Sequence, residues 1–402
     1  MKAHRLYLFN PDHDLALANG DENFNAPRLA NTFKSDLSIL PLWYAGKGST
    51  VMADLSDPRW LKEMRTCFPQ LKTIAVEANP DLSLFDEAQP WGWNSSVRKS
   101  LLTGGVNPEV LPDVDTLTDI RRLSHRKTAI EAISFLHDDK ELSPLLPMPA
   151  RQLMIDEVED FARRYDSTVF KAPWSGSGRG LFWINSSLSA NAMGWCAKVV
   201  EKQGSIIGEQ VYNKQLDFAI EYKCFGGKVS LEGYSLFETD SQGIYNGNLL
   251  LSNDAILQYI NRYIPCDLFQ KVEQRLLLFI EQTIAPYYSG YLGVDMMVYN
   301  LGDKYFLHPC VEINLRMTMG LVARLFFDKF VHPECKGRLQ VEYIQTPREL
   351  YLDHQKRQEL LPITISDGLL YRGYLSLSPI TSTSHYRIKV EIMDESSGSI
   401  DG

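Results

Sequence analysis

The chain has 402 residues, 44% hydrophobic and 23% charged, with 41 Lys and Arg against 50 Asp and Glu for a formal net charge of −9. At roughly 150 residues per domain this length gives two or three domains, and the composition excludes both disorder and collagen-like repetition. The acidic balance opposes non-specific binding to nucleic acid or to an anionic membrane surface, and no run reaches the roughly 18 apolar residues of a membrane span.

The short apolar runs 4–9 (HRLYLF) and 72–77 (KTIAVE), with helical spacing from Trp60 to Phe68 between them, predict an α/β opening with buried parallel strands. Asn10-Pro11-Asp12 follows the first run too soon for a signal-peptide core. After the polar loop Trp91–Asn94 and a Gly104-Gly105 turn, Leu117, Ile120, Leu123, Ile130 and Ile133 recur at three- and four-residue steps and their multiples. They predict one helix from Asp115 to His137, closed by Pro144, Pro147 and Pro149. A helix over 156–165 leads into a strand at Thr168–Lys171. Further strands are expected at 205–211, 217–223, 228–236, 292–299 and 304–313, with an amphipathic helix at 267–285. Asn300-Leu301-Gly302-Asp303 marks a hairpin turn, and His308-Pro309-Cys310 is expected to interrupt the strand that follows. A charged helix (347–360), two β-rich runs (369–377, 386–393) and a frayed end from Glu395 complete the chain. Six scattered cysteines form no C-x-x-C pair and read as reduced thiols in a cytoplasmic protein.

Three segments carry chemistry. In the first, a strand delivers Lys171 into the small-residue loop Ser175-Gly176-Ser177-Gly178-Arg179-Gly180, and a second strand follows. Small residues let backbone N–H groups approach an anion closely while the lysine adds a point charge, which makes a phosphate cradle. A plain hairpin turn has the same composition. The second is Glu312-Ile313-Asn314-Leu315-Arg316, where strand alternation sends Glu312, Asn314 and Arg316 to one face. A carboxylate and an amide carbonyl are hard oxygen ligands for Mg2+, the arginine suits an anionic group, and Asp295 on the preceding hairpin strand points into the same space. A solvated face with an internal ion pair is the alternative reading. In the third, the apolar strand 206–211 presents Glu209 and Val211, with Asp217 eight residues after the glutamate: an acid for an exocyclic amine, backbone for a ring edge, and a second acid for ribose hydroxyls.

In this order and spacing the three segments resemble the ATP-grasp fold over roughly residues 115–330, closest to biotin carboxylase and carbamoyl-phosphate synthetase. The resemblance implies an α/β and α+β architecture. A Rossmann-like pre-ATP-grasp domain (1–114) would precede a two-lobed ATP-grasp domain (115–335; lid lobe about 150–205, C lobe about 206–335) and a small β-rich C-terminal extension (336–402). It also implies that Lys171, Ser175, Gly176, Ser177 and Gly178 hold phosphates under a mobile lid, that Glu209, Val211 and Asp217 hold adenosine, and that Asp295, Glu312 and Asn314 ligate Mg2+, or alternatively Mn2+. Arg316, with Lys171, would stabilise the reacting anion, and Arg126 or its neighbour Lys127 would touch phosphate from the preceding helix.

The activity so implied is ATP-dependent ligation of a small carboxylate to an amine through an acylphosphate. A small-molecule kinase and a non-catalytic nucleotide-binding protein are the alternatives. The partners are then ATP, a small carboxylate and an amine, with no nucleic acid or membrane and with room for a homo-oligomer. Asn10–Asp14, Asn23, Asn25, Arg28, the Trp91–Asn94 loop and the 241–246 loop are candidates for the acceptor side. His13, His125, His308 and His332 show no metal spacing and receive no task.

Overall fold

The computed structural model describes residues 4–393 apart from 56, 177, 179, 186 and 241. Its first sheet comprises β1 (Arg5–Leu8), β2 (Thr50–Met52), β3 (Ala75–Glu77) and β4 (Glu87–Pro90), all parallel in the order β3-β2-β1-β4. Strand alternation divides β1 between two cores. Leu6 and Leu8 pack with Val97 and Leu101 of the helix Ser95–Thr103, while Tyr7 and Phe9 face the large central core. The expected run 72–77 is strand only from Ala75; its first residues lie in a 3-10 turn, Pro69–Thr73, set by the proline at its start.

A second sheet of four antiparallel strands has the order β5-β8-β6-β7: β5 (Arg151–Leu153), β6 (Thr168–Lys171), β7 (Leu181–Ile184) and β8 (Ile206–Gln210). The strand carrying Glu209 therefore belongs to this lid sheet, and the lobe boundary falls after Gln210 rather than at 205. The helix Ala190–Gln203 supplies Ala192 and Cys196 to the small core behind the sheet.

The third sheet has nine strands in the order β13-β12-β9-β10-β11-β14-β17-β16-β15. They are β9 (Asn213–Phe225), β10 (Lys228–Thr239), β11 (Tyr245–Leu250), β12 (Gly290–Leu301), β13 (Lys304–Asn314), β14 (Lys336–Tyr343), β15 (Thr364–Ser366), β16 (Leu369–Ser376) and β17 (Tyr386–Met393). The C-terminal segment is β-rich, as expected, and it continues the C-lobe sheet because β14 pairs with β11. His308-Pro309-Cys310 does not interrupt β13. Pro309 sits on the edge strand, where its missing N–H costs no ladder bond, and the register shift between Asp295 and Met297 absorbs the irregularity and sets Asp295 opposite Glu312.

Nor is 115–137 one helix. It is two, Val114–Leu123 and Lys127–His137. His125 Nδ1 accepts from the Lys127 amide at 2.9 Å, and the Arg126 amide leaves the helical pattern to donate to the Pro173 carbonyl at 3.1 Å. The apolar period carries on across this short break, so spacing alone conceals it.

The helix Met319–Phe330 is buried on nearly every side, between the N-terminal sheet and the nine-stranded one. Trp43, 1% exposed, packs edge-on against Phe326 and Phe330 of this helix and against Trp60 and Phe68, and its Nε1 donates to the Leu377 carbonyl at 2.7 Å. Trp43→Ala should lower stability by about 3–5 kcal/mol, the range for large aromatic deletions, as read from chemical denaturation.

Candidate active site

The loop after β1 and the loop after β4 leave the carboxyl ends of parallel strands, the edge where open α/β sheets bind ligands. They are tied together: Asn10 Nδ2 donates to the Gly92 carbonyl at 2.8 Å, and the Gly92 amide donates back to Asn10 Oδ1 at 3.3 Å. The Met317 amide donates to the Trp91 carbonyl at 2.8 Å, which docks this pair of loops on the chain leaving β13.

There the short helix His13–Asn19 presents Asp14 to Arg316. Arg316 Nε donates to Asp14 Oδ1 at 2.9 Å and Nη2 to Oδ2 at 2.8 Å, a bidentate pair. Nη2 also reaches Asn314 Oδ1 at 3.0 Å, and Asn314 Nδ2 donates to Asp295 Oδ2 at 3.0 Å. Glu312 turns to Arg126, whose Nη1 lies 3.0 Å away. Arg126 also donates to the Ala172 carbonyl at 3.1 Å and to Ser175 Oγ at 3.3 Å, joining the acidic strands to the base of the glycine loop. Of the basic pair, Arg126 makes these contacts, whereas Lys127 is half-buried at the first turn of its helix.

The glycine loop lies over this cluster. A Cβ on Gly176 would sit 2.0 Å from Asp14 Oδ2, a carboxylate already fixed by Arg316, so only glycine fits. Gly178 has φ +72°, which favours glycine, and packs against Gly243 of the loop between β10 and β11. Trp183 Nε1 donates to the Gln242 carbonyl at 3.2 Å, so the 240s loop meets the lid as well. Ser177 and Arg179 lie outside the described residues.

Lys171, at the end of β6, pairs with Glu209 of β8; the two are 7% and 5% exposed. His308 of β13 completes the group, with its Nε2 2.7 Å from Glu209 Oε1 and its buried Nδ1 without a hydrogen-bond partner among the described residues. Burial pushes the Glu209 carboxyl up, but Lys171 and His308 outweigh it and hold the group well below the ordinary glutamate range. Val211 donates its amide to the Ser167 carbonyl at the crossing between lobes, and Asp217 accepts from Thr239 Oγ1 at 2.9 Å and pairs with Lys214. The Tyr212 ring stands 4.4 Å from Tyr299 and 5.8 Å from His308. The expected site residues among the described ones thus form two groups, Lys171 with Glu209 and the set Arg126, Ser175, Gly176, Asp295, Glu312, Asn314 and Arg316. Cys310 on β13 feels charges from both.

A cleft of about 260 Å3, lined by His13, Asp14, Trp174, Ser175, Glu312 and Asn314 among others, opens onto the second group. Burial, then the neighbouring Glu312 and Glu221, push the Asp295 carboxyl well above its usual range. Two crowded carboxylates beside an amide oxygen suit a divalent cation, which relieves that repulsion. Among the described residues no three His, Cys, Asp or Glu side chains group as a metal site on their own.

Asp14, His308 and Glu221 are absent from the expected ligand sets. Asp14 and His308 are 302 and 99 residues from their partners, so no local pattern marks them. Glu221, opposite Gly293 in β12, is 1% exposed and accepts from Ser235 Oγ at 2.8 Å and Thr318 Oγ1 at 3.2 Å.

No family model matches this sequence, and no curated protein matches it. Solved structures do. The biotin carboxylase domain of Hydrogenobacter thermophilus 2-oxoglutarate carboxylase, crystallised as a dimer with MgADP, ADP and bicarbonate, superposes with a TM-score of 0.52 at 10% identity, over 98% of this chain and 86% of that one. N5-carboxyaminoimidazole synthetase from Staphylococcus aureus superposes with a TM-score of 0.50 at 11% identity, over 98% and 94%. The fold is the ATP-grasp fold. At such identities the likeness concerns architecture: in this ATP-grasp chain the α/β opening, the lid and the C lobe follow the expected order. Among the described residues no helix is long and apolar enough to cross a membrane.

Burial raises the Glu221 carboxyl from 4.5 to about 7. Between those values the native state holds more protons than the unfolded chain, so stability falls as pH rises through 7. Glu221→Gln should remove that slope. It should leave the protein more stable than the parent at pH 8, by on the order of 3 kcal/mol, with the advantage gone at pH 4, as read from denaturation midpoints.

Proposed function

We propose that this protein is an ATP- and Mg2+-dependent ligase that activates a small-molecule carboxylate as an acylphosphate for attack by an amine. The observation that carries the reading is the meeting of three chain regions at one cleft: the glycine loop of the lid, the acidic strands β12 and β13, and the N-terminal loop bearing Asp14. ATP-grasp neighbours described with nucleotides support it at the level of fold.

In this reading Lys171, Arg126 and the backbone of Ser175, Gly176, Ser177 and Gly178 hold the phosphates, and Glu209, Val211 and Asp217 hold adenosine. Lys127 stays outside the contact. Asp295, Glu312 and Asn314 hold Mg2+, which supplies charge neutralisation between triphosphate and carboxylate. Arg316 exchanges Asp14 for the carboxylate of the substrate, since a second carboxylate matches the same planar fork. A carboxylate oxygen takes the γ-phosphoryl group and ADP leaves. The amine nitrogen then attacks the acyl carbon, phosphate departs with the C–O electron pair, and the nitrogen loses a proton. Buried walls around Lys171 and Glu209, together with the lid packed on the 240s loop, exclude water from the acylphosphate.

Glu312→Gln should reduce ATP turnover by at least about a hundredfold without changing the far-ultraviolet dichroism, in line with losing one preorganised charge. ADP release with a carboxylate but no amine would instead identify a kinase, and unchanged turnover in the variant would overturn the assignment. Mg2+ at a hundred times its Kd should stabilise the parent by about 2.7 kcal/mol. Asp295→Asn, which relieves the crowding of Asp295 and Glu312, should raise the metal-free melting temperature and shrink the Mg2+ shift; scanning calorimetry with and without the ion reads both.

A further inference from the structure

A second cleft, of about 340 Å3, lies between the carboxyl end of the N-terminal sheet and the start of β12. Its walls are aromatic: Tyr7, Tyr44, Trp91, Trp93, Tyr288 and Tyr291. Four of these belong to the N-terminal domain and two to the C lobe, so the cleft is a domain-boundary pocket, a frequent place for small-molecule sites. The link between the Met317 amide and the Trp91 carbonyl separates it from the Asp14–Arg316 pair.

Its polar groups are few and uncharged. Gln89 lines the cleft, and no Asp, Glu, Lys or Arg does so among the described residues. Arg5 is held outside by Glu87 at 2.6 Å, and the Lys223 ammonium lies 4.8 Å from the Tyr291 ring centroid as a cation–π partner. The Tyr288 hydroxyl is spent on the Tyr291 carbonyl at 2.6 Å. The Tyr44 hydroxyl is different: it is buried and has no hydrogen-bond partner among the described residues, while its ring stands 6.0 Å from that of Tyr7. An orphaned buried hydroxyl costs on the scale of a lost hydrogen bond, and one beside an aromatic cleft needs a partner that arrives with a ligand.

We propose that this cleft binds an uncharged aromatic or heteroaromatic ring carrying a hydrogen-bonding substituent, with the ring against the aromatic walls and the substituent on Tyr44. Aromatic faces favour planar rings. The absence of a lining charge disfavours a carboxylate, phosphate or ammonium ligand, whose desolvation would go uncompensated. The site is independent of the nucleotide reading, because none of the residues assigned to ATP or Mg2+ lines it.

The test uses the full chain without nucleotide and follows phenol, toluene, benzoate and benzylammonium by saturation-transfer NMR with titration. Phenol should bind saturably in the millimolar range, about fivefold or more tighter than toluene, as one neutral hydrogen bond contributes, and tighter than either charged probe. Ser289, exposed at the mouth of the cleft, gives a plug: Ser289→Trp should abolish phenol binding while the melting temperature holds. Tyr44→Phe removes only the orphaned hydroxyl, so it should keep the fold and erase the phenol preference over toluene. Four results would each overturn the proposal: no saturable phenol binding, charged probes bound as well as phenol, phenol binding that survives Ser289→Trp, or a phenol preference that survives Tyr44→Phe.

Discussion

The bidentate contact between Asp14 and Arg316 holds the three bodies of this protein at one point. Asp14 comes from the first loop of the N-terminal sheet, Arg316 from the chain leaving the last C-lobe hairpin strand, and Gly176 from the lid is pressed against the same carboxylate. A planar fork meeting a planar carboxylate fixes orientation as well as distance, so the pair sets where Asn314 and, through it, Asp295 can stand. It is also a buried ion pair whose value as stability is small once both groups are desolvated. Its effect is positional: it decides which side chains share the cleft.

Charge in that cleft is arranged in pairs. Lys171 faces Glu209, Arg126 faces Glu312 and Arg316 faces Asp14, with Asp295 as an additional acid. Three cations therefore meet four carboxylates, and the local balance has the same sign as the −9 of the whole chain. A polyanion can enter such a place only with cations of its own or by displacing acids from their partners. This is a different solution from a lysine-rich surface, where the field is always on and attracts any anion.

Much of the fold is legible in the sequence because it is written locally. The Asn300–Asp303 turn and the alternation along 304–314 set the hairpin that brings Asp295 opposite Glu312, and the strand–glycine–strand run after Lys171 makes the β6–β7 hairpin. The misreadings are local too: the apolar period from Leu117 to Ile133 runs across the break at Ser124–Arg126, and Pro309 suggests an interruption that an edge strand tolerates. The candidate site is half legible. Residues on one strand or one loop declare their common face, whereas Asp14 against Arg316, His308 against Glu209 and Arg126 against Ser175 are tertiary meetings that leave no periodic trace.

The hydrogen bond from the Trp43 indole to the Leu377 carbonyl joins positions 334 residues apart, and the central core around it draws on residues from Tyr7 to Ile392. Such a core cannot close during synthesis until its last strands have left the ribosome. The N-terminal third must wait with Trp43, Trp60 and Phe68 lacking the helix 319–330 and the strands β14 to β17, a long interval for so much aromatic surface. Chains broken off before β17 would retain the sequence of every expected nucleotide and metal ligand and still lack a closed interior. The cell can therefore tell a finished copy from an unfinished one by its exposed aromatic surface, before any ligand is offered.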